Sequence, residues 1–167
     1  MIEAGARAPD FRLQDGEGKV HILSDFAGKM LVLYFYPRDD TPGCTKEACG
    51  FRDAHDRIRA AGAAVVGISA DSIASHAKFR DKYGLPFVLL SDPSKETIAA
   101  YGAWGNKKMY GKTVQGIIRS TFIIGADGVV KKVFPKVSPE GHAEEILAAL
   151  GQGPDAAEIA FRGQAGA

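Results

Sequence analysis

The sequence predicts an α/β fold: a mixed central sheet flanked by helices, with a β-hairpin leading into it. Three features carry that reading. Short apolar runs rich in β-branched and aromatic residues alternate with stretches of helical periodicity, the pattern of strands joined by helical crossovers. Two turn signals, Asp15-Gly16-Glu17-Gly18 and Gly125-Ala126-Asp127-Gly128, each separate a pair of strand-like runs and so place a hairpin near either end of the chain. Finally, 167 residues that are 46% hydrophobic and 25% charged suffice for one domain with its own core, and they speak against disorder.

In chain order, residues 9–14 and 19–24 flank the first turn signal and form the N-terminal hairpin. Ser24 to Lys29 is a turn or a short helical piece. Met30 to Tyr36 follows as the buried core strand, rich in bulky and aromatic residues, and Pro37 stops it. Thr41-Pro42-Gly43 reads as a helix start, with Thr41 at the N-cap and Pro42 at the first helical position. This helix should end near Ala61-Gly62. Along it Cys44, Ala48, Phe51, His55 and Ile58 recur at helical spacing, so one face collects the first cysteine with apolar positions. Ala63 to Ser69 is a buried strand, and Ser72 to Gly84 is a helix closed by its final glycine. Phe87 to Asp92 is a further strand and Ser94 to Tyr101 a short helix. The segment from Gly102 to Gly116 reads as a loop. Ile117–Ile124 and Val129–Phe134 are the strands of the second hairpin, and Ser138 to Leu150 is a last amphipathic helix. A thioredoxin-like sheet satisfies this order. Residues 1–150 are therefore assigned to one domain, and the tail 151–167, poor in large apolar residues, is expected to be loosely held or partly disordered.

A formal net charge of +1 gives no case for nucleic acid or an anionic membrane as partner. The first residues lack the long apolar stretch of a secretory signal, and no later run approaches transmembrane length. The expected location is the cytoplasm. In a reducing compartment two cysteines five positions apart are reactive or metal-binding candidates before they are structural ones.

Cys44 falls in the first turn of the predicted helix. Unpaired backbone N–H groups and the helix dipole favour negative charge there, and such a place lowers a thiol pKa and supplies the nucleophilic thiolate. A buried, inert cysteine is the alternative that position alone leaves open. Cys49 tips the balance, because a second thiol able to pair locally can capture an oxidised first one. On one regular helix the two Cα atoms would stand roughly 8 to 9 Å apart, whereas a disulfide requires less than about 7 Å. At least one cysteine must then leave the helix before a bond closes. Of the histidines at 21, 55, 76 and 142, only His55 is placed to join the cysteines as a zinc ligand. The four-residue gap between the cysteines and the missing fourth ligand argue against such a site. Spacing alone leaves a papain-like Cys-His pair open. The Lys107-Lys108 and Lys131-Lys132 pairs read as solvated faces.

Pro37-Arg38-Asp39-Asp40-Thr41-Pro42-Gly43-Cys44 has the Pro-x-x-x-Thr-x-x-Cys signature of the peroxiredoxins, and Thr45-Lys46-Glu47-Ala48-Cys49 resembles the Q-type, or bacterioferritin-comigratory, subfamily. The similarity continues through Phe51-Arg52-Asp53, Tyr101 to Gly105 with Lys107-Lys108, and Arg119-Ser120-Thr121-Phe122. By that resemblance Cys44 is the peroxidatic cysteine, oxidised to a sulfenic acid by a hydroperoxide, and Cys49 is the resolving one, closing a Cys44–Cys49 disulfide. Thr41 would hydrogen-bond the peroxide, Pro37 would shield the site from water, and Arg119 would reach back to the sulfur. The resemblance also implies hydrogen peroxide and organic hydroperoxides as substrates, thioredoxin or a similar dithiol protein as reductant, no metal or organic cofactor, and a monomer. Two rivals remain at this stage: a non-catalytic redox switch or chaperone-like binding module, and a thioredoxin-like disulfide reductase. The second normally has two residues between its cysteines, and this chain has four.

Overall fold

The apolar run at residues 30–35 lies mid-sheet because neither of its faces is polar. Leu31, Leu33 and Phe35 point to one side, Val32 and Tyr34 to the other, and all five are buried. The computed structural model describes residues 1–151. Its elements are β1 (Arg12–Gln14), β2 (Val20–Ile22), β3 (Met30–Phe35), α1 (Pro42–Ala60), β4 (Ala63–Ser69), α2 (Ile73–Tyr83), β5 (Val88–Ser91), α3 (Glu96–Ala100), β6 (Trp104–Met109), β7 (Lys112–Ile117), β8 (Ser120–Ile124), β9 (Val130–Phe134) and α4 (His142–Gly151).

Seven strands form one mixed sheet in the order β2-β1-β5-β4-β3-β8-β9. The β3, β4 and β5 strands run parallel, and the hairpins β1–β2 and β8–β9 add antiparallel edges. This is the thioredoxin-like arrangement that the element order predicts. The face carrying Val32 and Tyr34 is covered by α1, α2 and α4 through Phe51, Phe79 and Ile146. The opposite face packs on Ile98 of α3 and on Tyr101, whose ring lies 5.2 Å from that of Phe35. Gly67 of β4 stands beside Tyr34 in register, and a Cβ there would come within 2.8 Å of the tyrosine ring. Only glycine lets that aromatic side chain lie flat beneath α1. Among the described residues, no helix is long and apolar enough to cross a membrane.

Three element assignments need correction. Gly102–Gly116 is not a loop: β6 and β7 pair as a separate two-stranded ribbon, with Gly105 opposite Gly116. Its lysines and glycines blur the alternation that marks a strand. Its two-residue turn is Tyr110-Gly111, with φ of 52° and 77°, rather than the Asn-Gly that signals such turns. The predicted strand 117–124 is broken at Ile118-Arg119, because β7 ends at Ile117 and β8 begins at Ser120. The last helix starts at His142 rather than Ser138, since Gly141 takes a left-handed φ of 74° before it. The tail assignment reaches the structure only at Gly151, the last residue of α4. Residues 152–167 lie outside the described part.

Candidate active site

Where β3 ends, Tyr36 is still buried and Pro37 turns the chain out of the sheet. The loop then re-enters α1 through Thr41, which holds the N-cap position in an extended conformation (φ −97°, ψ 157°), with Pro42 at the first helical position as predicted. The Thr41 hydroxyl does not cap the helix. It donates to the Arg38 carbonyl at 2.9 Å, which leaves its oxygen lone pairs free to accept. Cys44 follows in the first turn, 2% exposed, its side chain joined to the core cluster beneath α1.

Arg119 reaches this turn from the break between β7 and β8. Its Nη2 donates to Cys44 Sγ at 3.3 Å, and its Nη1 donates to Glu47 Oε1 at 2.7 Å. One guanidinium fork thus bridges a sulfur and a carboxylate three residues apart on one helix face. The Arg119 carbonyl accepts from Val137 N–H at 2.9 Å, which fixes the backbone from which the side chain projects. Gly43 makes room for the contact, for a Cβ there would lie 3.1 Å from Arg119 Nη2 and 3.2 Å from Pro139 Cγ.

Glu47 is buried, and burial outweighs the opposing pull of Arg119, so its carboxyl pKa rises from 4.5 to about 7. Its Oε2 and the nearby Tyr34 hydroxyl are buried without a hydrogen-bond partner among the described residues. A carboxyl whose folded pKa exceeds its unfolded one makes the folded state bind the proton more tightly. Its stabilising contribution is therefore full below about pH 4.5 and lost as pH rises to about 7. That window corresponds to roughly 3 kcal/mol. Replacing Glu47 by Gln, whose amide oxygen still accepts from Arg119, should remove this part of the pH dependence while changing peroxide turnover only a few-fold. Urea denaturation of both proteins at pH 5 and pH 8 checks it: equal pH slopes would contradict the assignment.

Pro37 and Arg119 line an open cleft of about 830 Å³ together with Asn106, Lys107, Ile118 and Val137. The β6–β7 ribbon therefore borders the cleft that Arg119 lines. Lys107 is not simply a solvated lysine. It is half-buried, donates to the Ile117 carbonyl at 3.0 Å, and its pKa is lowered, chiefly by burial and then by Arg119. Cys49 points elsewhere. It is half-buried in a second groove, of about 660 Å³, between α1 and the segment around Pro139–Glu144. Both thiols are free and both lie on the intact α1, so the helical separation of roughly 8 to 9 Å holds. At least one of the two cysteines must therefore leave the helix before they can bond.

The structure thus brings Cys44 and Arg119 into direct contact and places Thr41 and Pro37 on the loop leading to them. Cys49 sits one and a half turns away on another face. His55, expected on the buried face, is half-buried and packs its ring 6.1 Å from Phe87. Sequence reasoning missed Glu47 as a site residue. Its signal was present: it lies at i+3 from Cys44 among buried positions, where a carboxylate demands a cation.

A thioredoxin-like sheet presenting a helix-start cysteine against a guanidinium defines a thiol-based redox protein. The chain matches the AhpC/TSA family over residues 4–133. It belongs to that family, as a peroxiredoxin of the Q or Bcp type. It is 46% identical over 149 residues to peroxiredoxin Bcp of Bacillus subtilis, covering 89% of this chain and 95% of that one. Among solved structures it is similar to the bacterioferritin comigratory protein of Xanthomonas campestris, studied for alkyl peroxide reduction activity (TM-score 0.82, 40% identity, 89% and 97% of the two chains). It is likewise similar to a PrxQ variant of Xylella fastidiosa (TM-score 0.84, 35% identity, 90% and 96%).

Proposed function

We propose that the chain reduces hydrogen peroxide and organic hydroperoxides through Cys44 and Cys49. The observation that carries this reading is the 3.3 Å contact from Arg119 Nη2 to Cys44 Sγ, inside a site that the cleft beside Pro37 opens to small molecules. In the proposed cycle the Cys44 sulfur attacks one peroxide oxygen. The O–O bond breaks, water or an alcohol leaves with a proton, and a sulfenic acid remains. The Thr41 oxygen accepts the peroxide O–H, Arg119 donates to the oxygen on which charge develops, and Pro37 restricts water. The first turn of α1 then opens, Cys49 attacks the Cys44 sulfur, and water leaves as the disulfide forms. A dithiol protein such as thioredoxin restores both thiols by exchange. Because both cysteines belong to one chain, the cycle needs no second copy, which supports a monomer. Its need for a steady supply of reduced dithiol suits the cytoplasm. Neither a metal nor an organic cofactor enters the electron balance.

Substituting Cys49 by Ser tests the division of labour. Peroxide consumption by this variant is expected to persist with a small thiol that can reduce the sulfenic acid directly, and to fall at least about tenfold with thioredoxin and its reductase. Equal activity of wild type and variant with thioredoxin would exclude Cys49 as the resolving thiol. A redox-switch role without catalysis predicts no multiple-turnover consumption in either protein.

A further inference from the structure

The loop that carries Thr41 is pinned by a buried polar cluster that the cycle above does not use. Asp39 is its centre. Its Oδ1 accepts from the Tyr36 hydroxyl at 2.6 Å, and its Oδ2 accepts from the Ser75 hydroxyl and from His76 Nδ1, each at 2.7 Å. The Asp39 backbone N–H donates to Asp71 Oδ2 at 2.8 Å, and that oxygen also accepts from the Ser69 hydroxyl at 2.6 Å. His76, wholly buried, has its other ring nitrogen 3.0 Å from the Leu90 carbonyl. Its two ring nitrogens thus tie α2 to the Asp39 side chain on one side and to the β5 backbone on the other, with the Tyr36 hydroxyl 3.4 Å from Nδ1. Ligand atoms of Asp39, Asp71 and His76 lie within 4.8 Å of one another, as in a cation site. Each of those atoms already has a hydrogen-bond partner, and His76 Nε2 is directed to a backbone carbonyl.

We propose that His76 is a positioning residue for peroxide reduction: through Asp39 it sets the loop whose Arg38 carbonyl aims the Thr41 hydroxyl. The path is short. Asp39 is the residue after Arg38, and Asp40, in a left-handed conformation (φ 55°), is tied back to α2 by Lys82 at 2.8 Å and by the Tyr83 hydroxyl at 2.8 Å. The α2 helix, which lends no group to the sulfur, therefore holds both residues between Arg38 and Thr41. Thr41 takes its hydroxyl direction from that segment. A displacement of about 1 Å in such a group is enough to cost up to about a hundredfold in rate.

This inference rests on the assignment of Thr41 to peroxide binding, and two amide substitutions test it. The Asn side-chain nitrogen occupies the place of His Nδ1 and can still donate to Asp39. The Gln nitrogen occupies the place of Nε2 and can still donate to Leu90 while abandoning Asp39. The readouts are the rate constant of Cys44 oxidation by hydrogen peroxide, the rate of Cys44 alkylation by iodoacetamide, and Tm. Alkylation needs the sulfur nucleophile but not a placed peroxide. His76→Gln is expected to lower the peroxide rate about tenfold or more and to leave alkylation unchanged. His76→Asn is expected to rescue the peroxide rate even where its Tm is the lower of the two. Peroxide rates that follow Tm in both variants, or a Gln variant within twofold of wild type, would overturn the inference. Should His76→Gln not fold, Ser75→Ala removes one donor to Asp39 from a half-buried site, with the same expected split between peroxide and alkylation rates; no split overturns it. Thr41→Val, measured in parallel, separates the two levels. A normal peroxide rate there refutes the Thr41 assignment and the inference together, whereas a low rate beside a normal His76→Gln refutes the inference alone.

Discussion

Replacing Cys44 by Ser is expected to abolish peroxide consumption and leave the fold intact. Serine fits the same buried space, and its oxygen can take the hydrogen bond from Arg119 Nη2, so Tm should shift by no more than a few degrees. What is lost is chemical, because a hydroxyl forms no sulfenic acid and Cys49 then has no oxidised partner to resolve. A coupled assay with peroxide and either a small thiol or thioredoxin should read background. Turnover above it would place the reaction elsewhere. Thiol ionisation by itself falls far short of the rate required. A thiol of ordinary pKa is a few per cent ionised at neutral pH, so complete ionisation gains about thirtyfold, against the roughly 10⁶-fold or more that enzymes supply. The remainder must come from donors placed where charge develops on the peroxide.

Arg119→Ala addresses that remainder, with an expected fall of about 10² to 10³ in the rate constant for peroxide. It carries a second expectation. The variant leaves Glu47 buried without its cation, and breaking such a pair costs about 3 to 5 kcal/mol when the surviving charge stays ionised. Glu47 escapes part of this by holding its proton, since Arg119 is what restrains the rise of its pKa. The instability of Arg119→Ala relative to wild type should therefore be small at pH 5 and grow toward pH 8. Stopped-flow oxidation and urea denaturation at both pH values give the two readings. Arg119→Lys sharpens them: one ammonium cannot hold sulfur and carboxylate in the same fixed fork, so stability should recover more than rate. A rate within threefold of wild type in Arg119→Ala would remove the guanidinium from the chemistry.

Most of the central sheet was legible because its strands are apolar on both faces and its helices end in recognisable residues: Gly84 closes α2 as predicted, and Ser72, where that helix begins, caps it. The β6–β7 ribbon was not, since it is held by backbone pairing and a left-handed Tyr110-Gly111 turn instead of an apolar pattern. Within the site, Thr41, Cys44 and Cys49 stand in one short motif and Pro37 opens it. Arg119 came from family resemblance alone: Ile118 and Phe122 around it suggest a strand, and only the fold reveals a strand break aimed at α1. Glu47 is visible only through its helical spacing from Cys44, and the spacing alone does not single out a carboxylate from its neighbours. Asp39 and His76 lie 37 positions apart, and no local pattern connects them.

Among the described residues the two openings share no lining residue: the cleft at Pro37 and Arg119 is lined by the guanidinium that contacts Cys44, and the groove at Pro139–Glu144 borders Cys49. In the proposed cycle the two reactants therefore have separate entrances. A bulky protein reductant seated over Cys49 would leave the peroxide's door clear, and a long hydroperoxide lying in the cleft would not block the reductant. Oxidising and reducing traffic would then meet only inside, when α1 gives way and the two sulfurs come within bonding distance.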